Sequence, residues 1–292
     1  MPLHGHCERS EAIPPFQIAS LTSFTRNDTL LSALVLETRN MPLQTTEAIV
    51  IGGHNLGEAD RIIPFFTRRL GKVRAVAKGA RRIRSRFGGT LELFTLGQLV
   101  FFEWPNRTLH AINEFSVIEP FSPLKEELGR LSRGAYVVEL AGAAVEDAEP
   151  SEEIYLLLRD ALTLLVSHDD PKLLRTFEIR LLRIAGYLLE LYRCLVCRSA
   201  IEKRVELSIS PAKGGLVCSR CRERASDRLS ISLESLTYLR SVLVGGLQES
   251  LITPLPPPYS DELQEILKVC IAYFLGKSLR SLAFLTRCEQ GF

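Results

Sequence analysis

Four cysteines of this chain have the number and spacing of metal ligands. They form two pairs, Cys194-Leu-Val-Cys197 and Cys218-Ser-Arg-Cys221, with twenty residues between the pairs. Each pair can form a knuckle whose thiolates approach one metal ion, and two knuckles complete a tetrahedral site of four sulfurs. Such a site has no open position, so the spacing predicts one structural Zn²⁺ per chain and no reaction at the metal. The alternative is four core thiols that share this spacing by coincidence.

The segment between the two pairs must bring them together. Its last part, VELSISPAKGGLVC, has the pattern of a hairpin that turns at Gly214-Gly215. A hairpin between two knuckles is typical of a ribbon-like module, which we predict over residues 194–221. Two further cysteines, Cys270 and Cys288, lie on predicted helices and are interpreted as plain core residues.

A second feature with chemical meaning is the basic stretch GKVRAVAKGARRIRSRFGG at residues 71–89. The whole chain is nearly neutral, with 36 Lys plus Arg against 34 Asp plus Glu, yet residues 61–86 hold ten basic residues and no acid. The excess is therefore local. A local excess of positive charge indicates a polyanionic partner for one face of the protein.

The first part of this stretch alternates as a β-strand does. Val73, Ala75 and Ala77 are small and apolar, as the crowded interior of a small barrel requires, and the residues between them face outward. A flexible loop follows from Gly79. We predict that the basic residues of the strand and loop contact nucleic-acid phosphates: Lys72, Arg74, Lys78, Arg81, Arg82, Arg84 and Arg86.

Aromatic residues close to such a basic face favour single-stranded nucleic acid, because bases stack on aromatic rings while cations neutralise the phosphates. The candidates for stacking are Phe87, Phe94, Phe102 and Trp104. Each of these could instead be a core residue, and the basic stretch could be only a solvated surface.

No catalytic constellation is found. The five histidines are scattered, and adjacent acidic pairs such as Glu152-Glu153 lie near predicted helix starts, where they complement the helix dipole. We therefore expect that the protein is not an enzyme. Two other classes stay open at this point: a zinc-ribbon transcription or translation factor, and a nucleic-acid enzyme with a cryptic site.

The elements that position these residues fall into two types. Short β-type runs separated by Gly, Pro or Asn turns extend from Thr46 to about Glu119 and fit a small barrel, whose closed sheet leaves no long edge. After Pro120 the apolar spacing becomes helical. Helices are predicted at 124–147, 152–167, 171–193, 232–245 and 260–286, with TPLPPPY (253–259) as a stiff connector.

The N-terminal residues differ from the rest of the chain. Residues 1–42 have no sustained period, so we predict a disordered extension and expect a chain started at Met41 to fold and complement equally well. We find no secretory signal in the sequence. We also find no apolar run of the roughly 18 residues that a membrane helix needs. We infer a cytoplasmic location, associated with the nucleoid. Composition, at 46% hydrophobic and 24% charged, is typical of globular proteins.

These residues together resemble the RecO family of bacterial recombination mediators. The resemblance runs from about Thr46 to Leu285, and residues 1–40 are not needed by the family pattern. Not all members keep the four cysteines, so zinc depends on this sequence alone. The most specific segments are EAIVIGGHNLGEADRIIPFFTRRLGKVRAVAKGARRIRSRFGG, FTLGQLVFFEW, the CLVC and GGLVCSRC pairs, and LGKSLRSLAFL.

The resemblance implies an α+β multidomain chain: an N-terminal OB-fold barrel (43–121), a mainly α-helical central and C-terminal domain (122–193 and 222–292), and the inserted zinc module. It also implies a DNA repair and recombination mediator of the RecF pathway. Such a protein binds single- and double-stranded DNA, anneals complementary strands, and works with RecR and the single-strand-binding protein to load RecA. The acidic C-terminal tail of the single-strand-binding protein would occupy an apolar groove rimmed by basic residues such as Arg175, Arg180 or Arg183. Taken one by one, these arginines are better explained as a solvated helix face.

Overall fold

The computed structural model describes residues 42–168, 170–187, 190–201 and 206–290. Pro42–Phe292 form one compact unit. The extension predicted over residues 1–42 lies, apart from Pro42, outside the described residues. None of the described helices combines the length and the hydropathy that spanning a bilayer requires.

Five of the six N-terminal strands close into a barrel. β1 pairs with β5, β5 with β6, β6 with β4, β4 with β3, and β3 again with β1. The β4–β6 pairing is parallel, while the other pairings in the ring are antiparallel. This OB-like barrel confirms the predicted fold; the short β2, which pairs with β3, was not predicted. The strands are β1 (Leu43–Val50), β2 (His54–Leu56), β3 (Asp60–Thr67), β4 (Gly71–Ala77), β5 (Leu96–Phe102) and β6 (Leu109–Glu119).

Strand β4 shows how the sequence fits the barrel. Val73, Ala75 and Ala77 are buried in the barrel interior, as their small size and alternation predict. Lys72 and Arg74 lie on the outer face between them. The apolar interior is completed by side chains from the other strands and the β4–β5 loop, which include Ile63, Phe65, Phe87, Leu91, Leu99, Phe101, Ile112 and Phe115.

The rest of the chain is mainly helical, as predicted. The helix predicted at 152–167 is observed with those bounds, and the one predicted at 232–245 begins one residue later. The helices are α1 (Pro123–Glu126), α2 (Leu128–Ala143), α3 (Glu152–Ser167), α4 (Pro171–Ile184), α5 (Leu233–Gly245), α6 (Glu249–Ile252), α7 (Pro257–Leu275) and α8 (Arg280–Gln290).

Three predicted helices are shorter or interrupted. The helix predicted at 124–147 is broken at Glu127, whose backbone is extended, and ends at Ala143. The helix predicted at 171–193 ends at Ile184, and Leu191 from its apolar stripe is buried outside the helix. The helix predicted at 260–286 starts earlier, at Pro257, and is divided by Gly276, whose φ of 63° ends α7. Periodicity located the buried face correctly but not the helix ends.

The cysteine segment carries a second, three-stranded sheet. β7 (Leu207–Ser210) and β8 (Gly215–Cys218) form the predicted antiparallel hairpin, in which Gly214 has a φ of 66°. β9 (Leu229–Ile231), which was not predicted, pairs with the other edge of β7. A 3₁₀ helix at Ser219–Arg224 follows β8 and carries the last cysteine.

Barrel and helices share one hydrophobic core. Ile49, Phe66, Phe94 and Leu96 of the barrel pack in the same buried cluster as the helices. The chain between α2 and α3 also contacts β4 closely, since a Cβ on Gly71 would lie 2.4 Å from the carbonyl oxygen of Glu149. Only glycine fits at this position, where φ is also 67°.

Candidate metal centre and candidate nucleic-acid interface

The four predicted metal ligands lie together. The Sγ atoms of Cys194, Cys197, Cys218 and Cys221 are all within 4.8 Å of one another. The Sγ atoms of Cys197 and Cys218 are 3.8 Å apart. Four thiolates at a zinc–sulfur distance of about 2.3 Å stand about 3.8 Å apart in a tetrahedron. The donor set and its spacing therefore fit a single tetrahedral metal ion.

Local backbone contacts explain why the four thiols converge. The N–H of Leu195 donates to the carbonyl of Leu216 at 2.8 Å, which joins the first cysteine pair to β8. The N–H of Arg198 donates to the carbonyl of Cys194 at 2.8 Å, and its positive φ of 61° closes the knuckle. The N–H of Cys218 donates to the Sγ of Cys194 at 3.4 Å, as donors around metal-bound thiolates do.

The thiols have different proton affinities. Hydrogen bonding with the Ser199 side chain lowers the pKa of Cys197 to about 6. Burial raises the pKa of Cys221 to about 12. At Cys194 burial opposes ionisation, but backbone donors, first among them the N–H of Cys218, lower the pKa overall. A bound cation would deprotonate the remaining thiols, because a coordinating thiol ionises outright.

The predicted nucleic-acid residues fall into three groups, of which the first is already paired. Lys72 Nζ lies 3.0 Å from Asp147 Oδ1 and donates to the carbonyl of Gly142 at 2.9 Å. Arg74 lies 2.9 Å from the other carboxylate oxygen of Asp147. Both basic side chains line a cleft of about 760 Å³ between the barrel and helices α2 and α8. Asp147, which follows α2, therefore pairs with both basic residues of β4 and offsets part of their charge.

The second group fastens the β4–β5 loop to the barrel. Arg81 donates to the carbonyl of Gly57 at 2.7 Å. Arg86 donates to the carbonyl of Ile112 at 3.1 Å, and its guanidinium lies 4.7 Å from the centre of the Phe87 ring. These two arginines carry charge to the surface, but their side chains are committed to holding the loop.

The third group is free to bind. Lys78, Arg82 and Arg84 are exposed. Within the described part of the chain, no hydrogen bond or ion pair of their side chains is found. Each of these side chains can offer a positive charge to a polyanion. The positive potential available to a polyanion is therefore concentrated on the loop rather than spread along β4.

The stacking role predicted for four aromatic residues is wrong for two of them. Phe87 is 4% exposed and Phe94 is fully buried, so neither ring can meet a base. Phe94 instead packs on α2, where its ring atoms would lie 2.8 Å from a Cβ on Gly134. Phe102 and Trp104 are half-buried, and the guanidinium of Arg107 covers the Trp104 ring at 4.5 Å. Size and aromaticity cannot distinguish a core ring from a stacking ring.

The groove rimmed by helical arginines is not observed as predicted. Arg175 is 4% exposed and forms an ion pair of 3.1 Å with the buried Glu178, so it rims nothing. Arg180 donates to the carbonyls of Val242 and Leu243 at the end of α5, at 3.0 and 3.3 Å. Arg183 is exposed. The prediction for Arg175 was wrong because α4 is buried around most of its circumference, so that residues outside its apolar stripe are also covered.

Sequence reasoning passed over two residues that lie beside the predicted basic residues. Asp147 was treated as part of a helix, although the acidic segment EDAEP (146–150) beside a basic strand could have suggested pairing. Ile83 was passed over, although it is the one large aliphatic residue between Gly79 and Phe87. Its side chain is fully exposed.

A closed five-stranded OB-like barrel, a helical part packed against it and a cluster of four thiols define the class: a barrel-and-helix protein with an inserted cysteine module. Residues 41–121 match the family model described as Recombination protein O N terminal, and residues 125–283 match Recombination protein O C terminal. The chain belongs to the RecO family of DNA repair proteins.

Relatives agree over most of their length. The DNA repair protein RecO of Symbiobacterium thermophilum is 33% identical over 248 residues, covering 84% of this chain and 97% of that protein. RecO of Pelotomaculum thermopropionicum is 30% identical over 250 residues, covering 86% and 96%. RecO of a Nocardioides species is 34% identical over 249 residues, covering 84% and 100%. A role in DNA repair and recombination follows from this membership.

Proposed function

We propose that this protein is a recombination mediator that binds single- and double-stranded DNA, anneals complementary strands and helps to load RecA. The observation that carries the proposal is a group of exposed cations on the β4–β5 loop of a RecO-type barrel whose side chains have no partner among the described residues. Lys78, Arg82 and Arg84 can each neutralise one phosphate, and phosphate contacts bind DNA with little sequence preference. Low sequence preference is what a mediator needs, because it acts wherever DNA is damaged.

Annealing by this route requires no bond chemistry. Two complementary strands repel each other, and a protein that screens their phosphates lets them approach and pair. We therefore propose that the protein is not an enzyme. The cleft, the loop and the helical part contribute binding surfaces, while the energy for pairing comes from the two DNA strands.

We propose that the four cysteines hold one structural Zn²⁺. Four sulfur ligands, tetrahedral spacing and the absence of an open position all favour zinc. The ion would join the β7–β8 hairpin to the first cysteine pair, which follows α4 in the chain. Its binding energy would therefore contribute to the folding of this module. We also retain the division into a barrel (43–121), a helical domain (122–193 and 222–292) and a zinc module (194–221).

We propose RecR, RecA and the single-strand-binding protein as partners, on the basis of family membership. The groove that Arg180 lines does not suit the acidic tail of the single-strand-binding protein, because Glu153 and Asp160 line it too. The cleft between barrel and helices has a better charge balance, since Lys72, Arg74, Lys277 and Arg280 outnumber the acids Glu139 and Asp147.

The test is annealing of complementary oligonucleotides coated with single-strand-binding protein, with and without this protein. We expect the full chain to accelerate annealing in proportion to its binding, on unrelated sequences alike. A metal-dependent cleavage of the strands would instead support a nuclease. Binding confined to one sequence would support a zinc-ribbon transcription or translation factor, and either result would overturn the proposal.

A further inference from the structure

Ile83 is the most exposed of the large hydrophobic side chains in the described residues. It lies on the β4–β5 loop, between Arg82 and Arg84, whose side chains are exposed and make no hydrogen bond or ion pair with described residues. Single exposed aliphatic residues are ordinary on protein surfaces. What distinguishes Ile83 is its place between two cations that have nothing to bind within the described protein.

The loop that presents Ile83 is held at both ends. Asp60 accepts a hydrogen bond from the N–H of Gly79 at 2.8 Å, and Arg81 binds the carbonyl of Gly57. At the other end, Phe87 is buried in the barrel and Arg86 binds the carbonyl of Ile112.

Between these anchors, successive turns give the loop internal order. The N–H of Arg82 donates to the carbonyl of Gly79 at 3.1 Å, and that of Ser85 to the carbonyl of Arg82 at 3.0 Å. A loop fixed in this way can hold an apolar side chain in water without letting it fold back onto the barrel.

We propose that Ile83 is an apolar wedge that enters between neighbouring DNA bases while Arg82 and Arg84 bind the flanking phosphates. Proteins that distort nucleic acid insert aliphatic side chains of this kind between base steps and partly unstack them. Burial of Ile83 between two bases removes it from water, which offsets part of the cost of unstacking. The inference rests on the proposed DNA-binding role and adds to it a contact with bases.

The wedge gives the loop a purpose in annealing. The phosphate contacts of Arg82 and Arg84 bring strands close, but a strand whose bases stay stacked in a single-stranded helix must still rearrange before it pairs. A strand unstacked at Ile83 presents free base edges to its complement. The phenylalanines of this region are buried in the core, so Ile83 is the apolar group that the loop offers to bases.

The experiment uses the full chain and single-stranded oligonucleotides that carry one 2-aminopurine, whose fluorescence rises when neighbouring bases unstack. Measurements are made at saturating protein, so that differences in affinity do not enter. We expect wild type to raise the fluorescence and Ile83→Ala to abolish most of the rise. Ile83→Met should retain it. Ile252→Ala, at another exposed isoleucine on α6, is the matched control and should behave as wild type.

The salt dependence of binding separates the wedge from the phosphate contacts. Ile83→Ala should bind about threefold to tenfold more weakly, with the wild-type salt slope, because both arginines remain. If the saturated fluorescence of Ile83→Ala equals that of wild type, or if its salt slope falls, Ile83 is not a wedge. If wild type itself does not bind DNA, the proposed function fails before the wedge is tested.

Discussion

The double variant Arg82→Ser, Arg84→Ser should change how DNA binding depends on salt. Both side chains are exposed and make no hydrogen bond or ion pair with the described residues. Their whole charge is available to phosphates. Because exposed loop substitutions usually change stability by less than about 0.5 kcal/mol, the fold should be unaffected.

The expected size follows from the number of contacts removed. Each phosphate neutralised on a single strand contributes roughly −0.7 to the slope of log affinity against log salt. Loss of two contacts should therefore flatten the slope by about 1.4. Between 50 and 200 mM salt, wild type should lose about sevenfold more affinity than the variant. Arg86→Ser should flatten the slope less than the loss of Arg82 or Arg84, because Phe87 and the carbonyl of Ile112 restrain its guanidinium.

The assay is fluorescence anisotropy of labelled oligonucleotides of several sequences, titrated at a series of salt concentrations. All sequences should respond alike, since phosphate contacts carry no base information. The charge-matched control is Arg69→Ser, Arg287→Ser, which removes two exposed cations away from the loop. A wild-type slope in the loop variant, or an equal flattening in the control, would refute the assignment of phosphate binding to this loop.

Three further outcomes follow from the structure. Asp147→Asn should steepen the salt slope by about 0.7 in the same titration, because it releases Arg74 while Lys72 stays bound to the Gly142 carbonyl; an unchanged slope would mean that DNA does not reach β4. Elemental analysis should find one zinc per chain, and either Cys197→Ser or a strong chelator should lower the melting temperature. A protein that is stable without metal while its thiols are reduced would contradict the metal site. Glu178→Ala should lower the free energy of unfolding in urea by about 3–5 kcal/mol, because it leaves Arg175 charged and buried. The double variant Arg175→Met, Glu178→Leu should lose far less stability, and equal losses would contradict this account.

The parts that the sequence predicted well depend on short-range pattern. The alternation of β4 gave the buried and exposed faces correctly, since a strand has a fixed period of two. The CxxC spacing correctly predicted that the four thiols lie together, since each knuckle is a local structure. The hairpin between them was signalled by Gly214, whose positive φ favours glycine.

The parts that sequence reasoning missed depend on contacts distant in the chain. Lys72 and Arg74 looked free for DNA, but their partner Asp147 is more than seventy residues away. Phe87 looked like a stacking ring, but it fills the barrel on which its loop is anchored. Such assignments depend on tertiary contacts, which periodicity does not encode.

Under the proposed function, the pairing of Asp147 with β4 limits the number of barrel cations that DNA can meet. On the same side, Arg68 at the end of β3 is paired with Glu152 at 2.7 Å, so two acids of the helical part pair with three cations of the barrel. On the β4–β5 loop, the exposed cations whose side chains have no partner among the described residues are Lys78, Arg82 and Arg84. Three single-strand contacts give a slope of about −2, which corresponds to weak and salt-sensitive binding. Weak binding suits annealing, because a protein that grips a strand at many phosphates would also hold the product, and the paired strands must leave before the next pair can form.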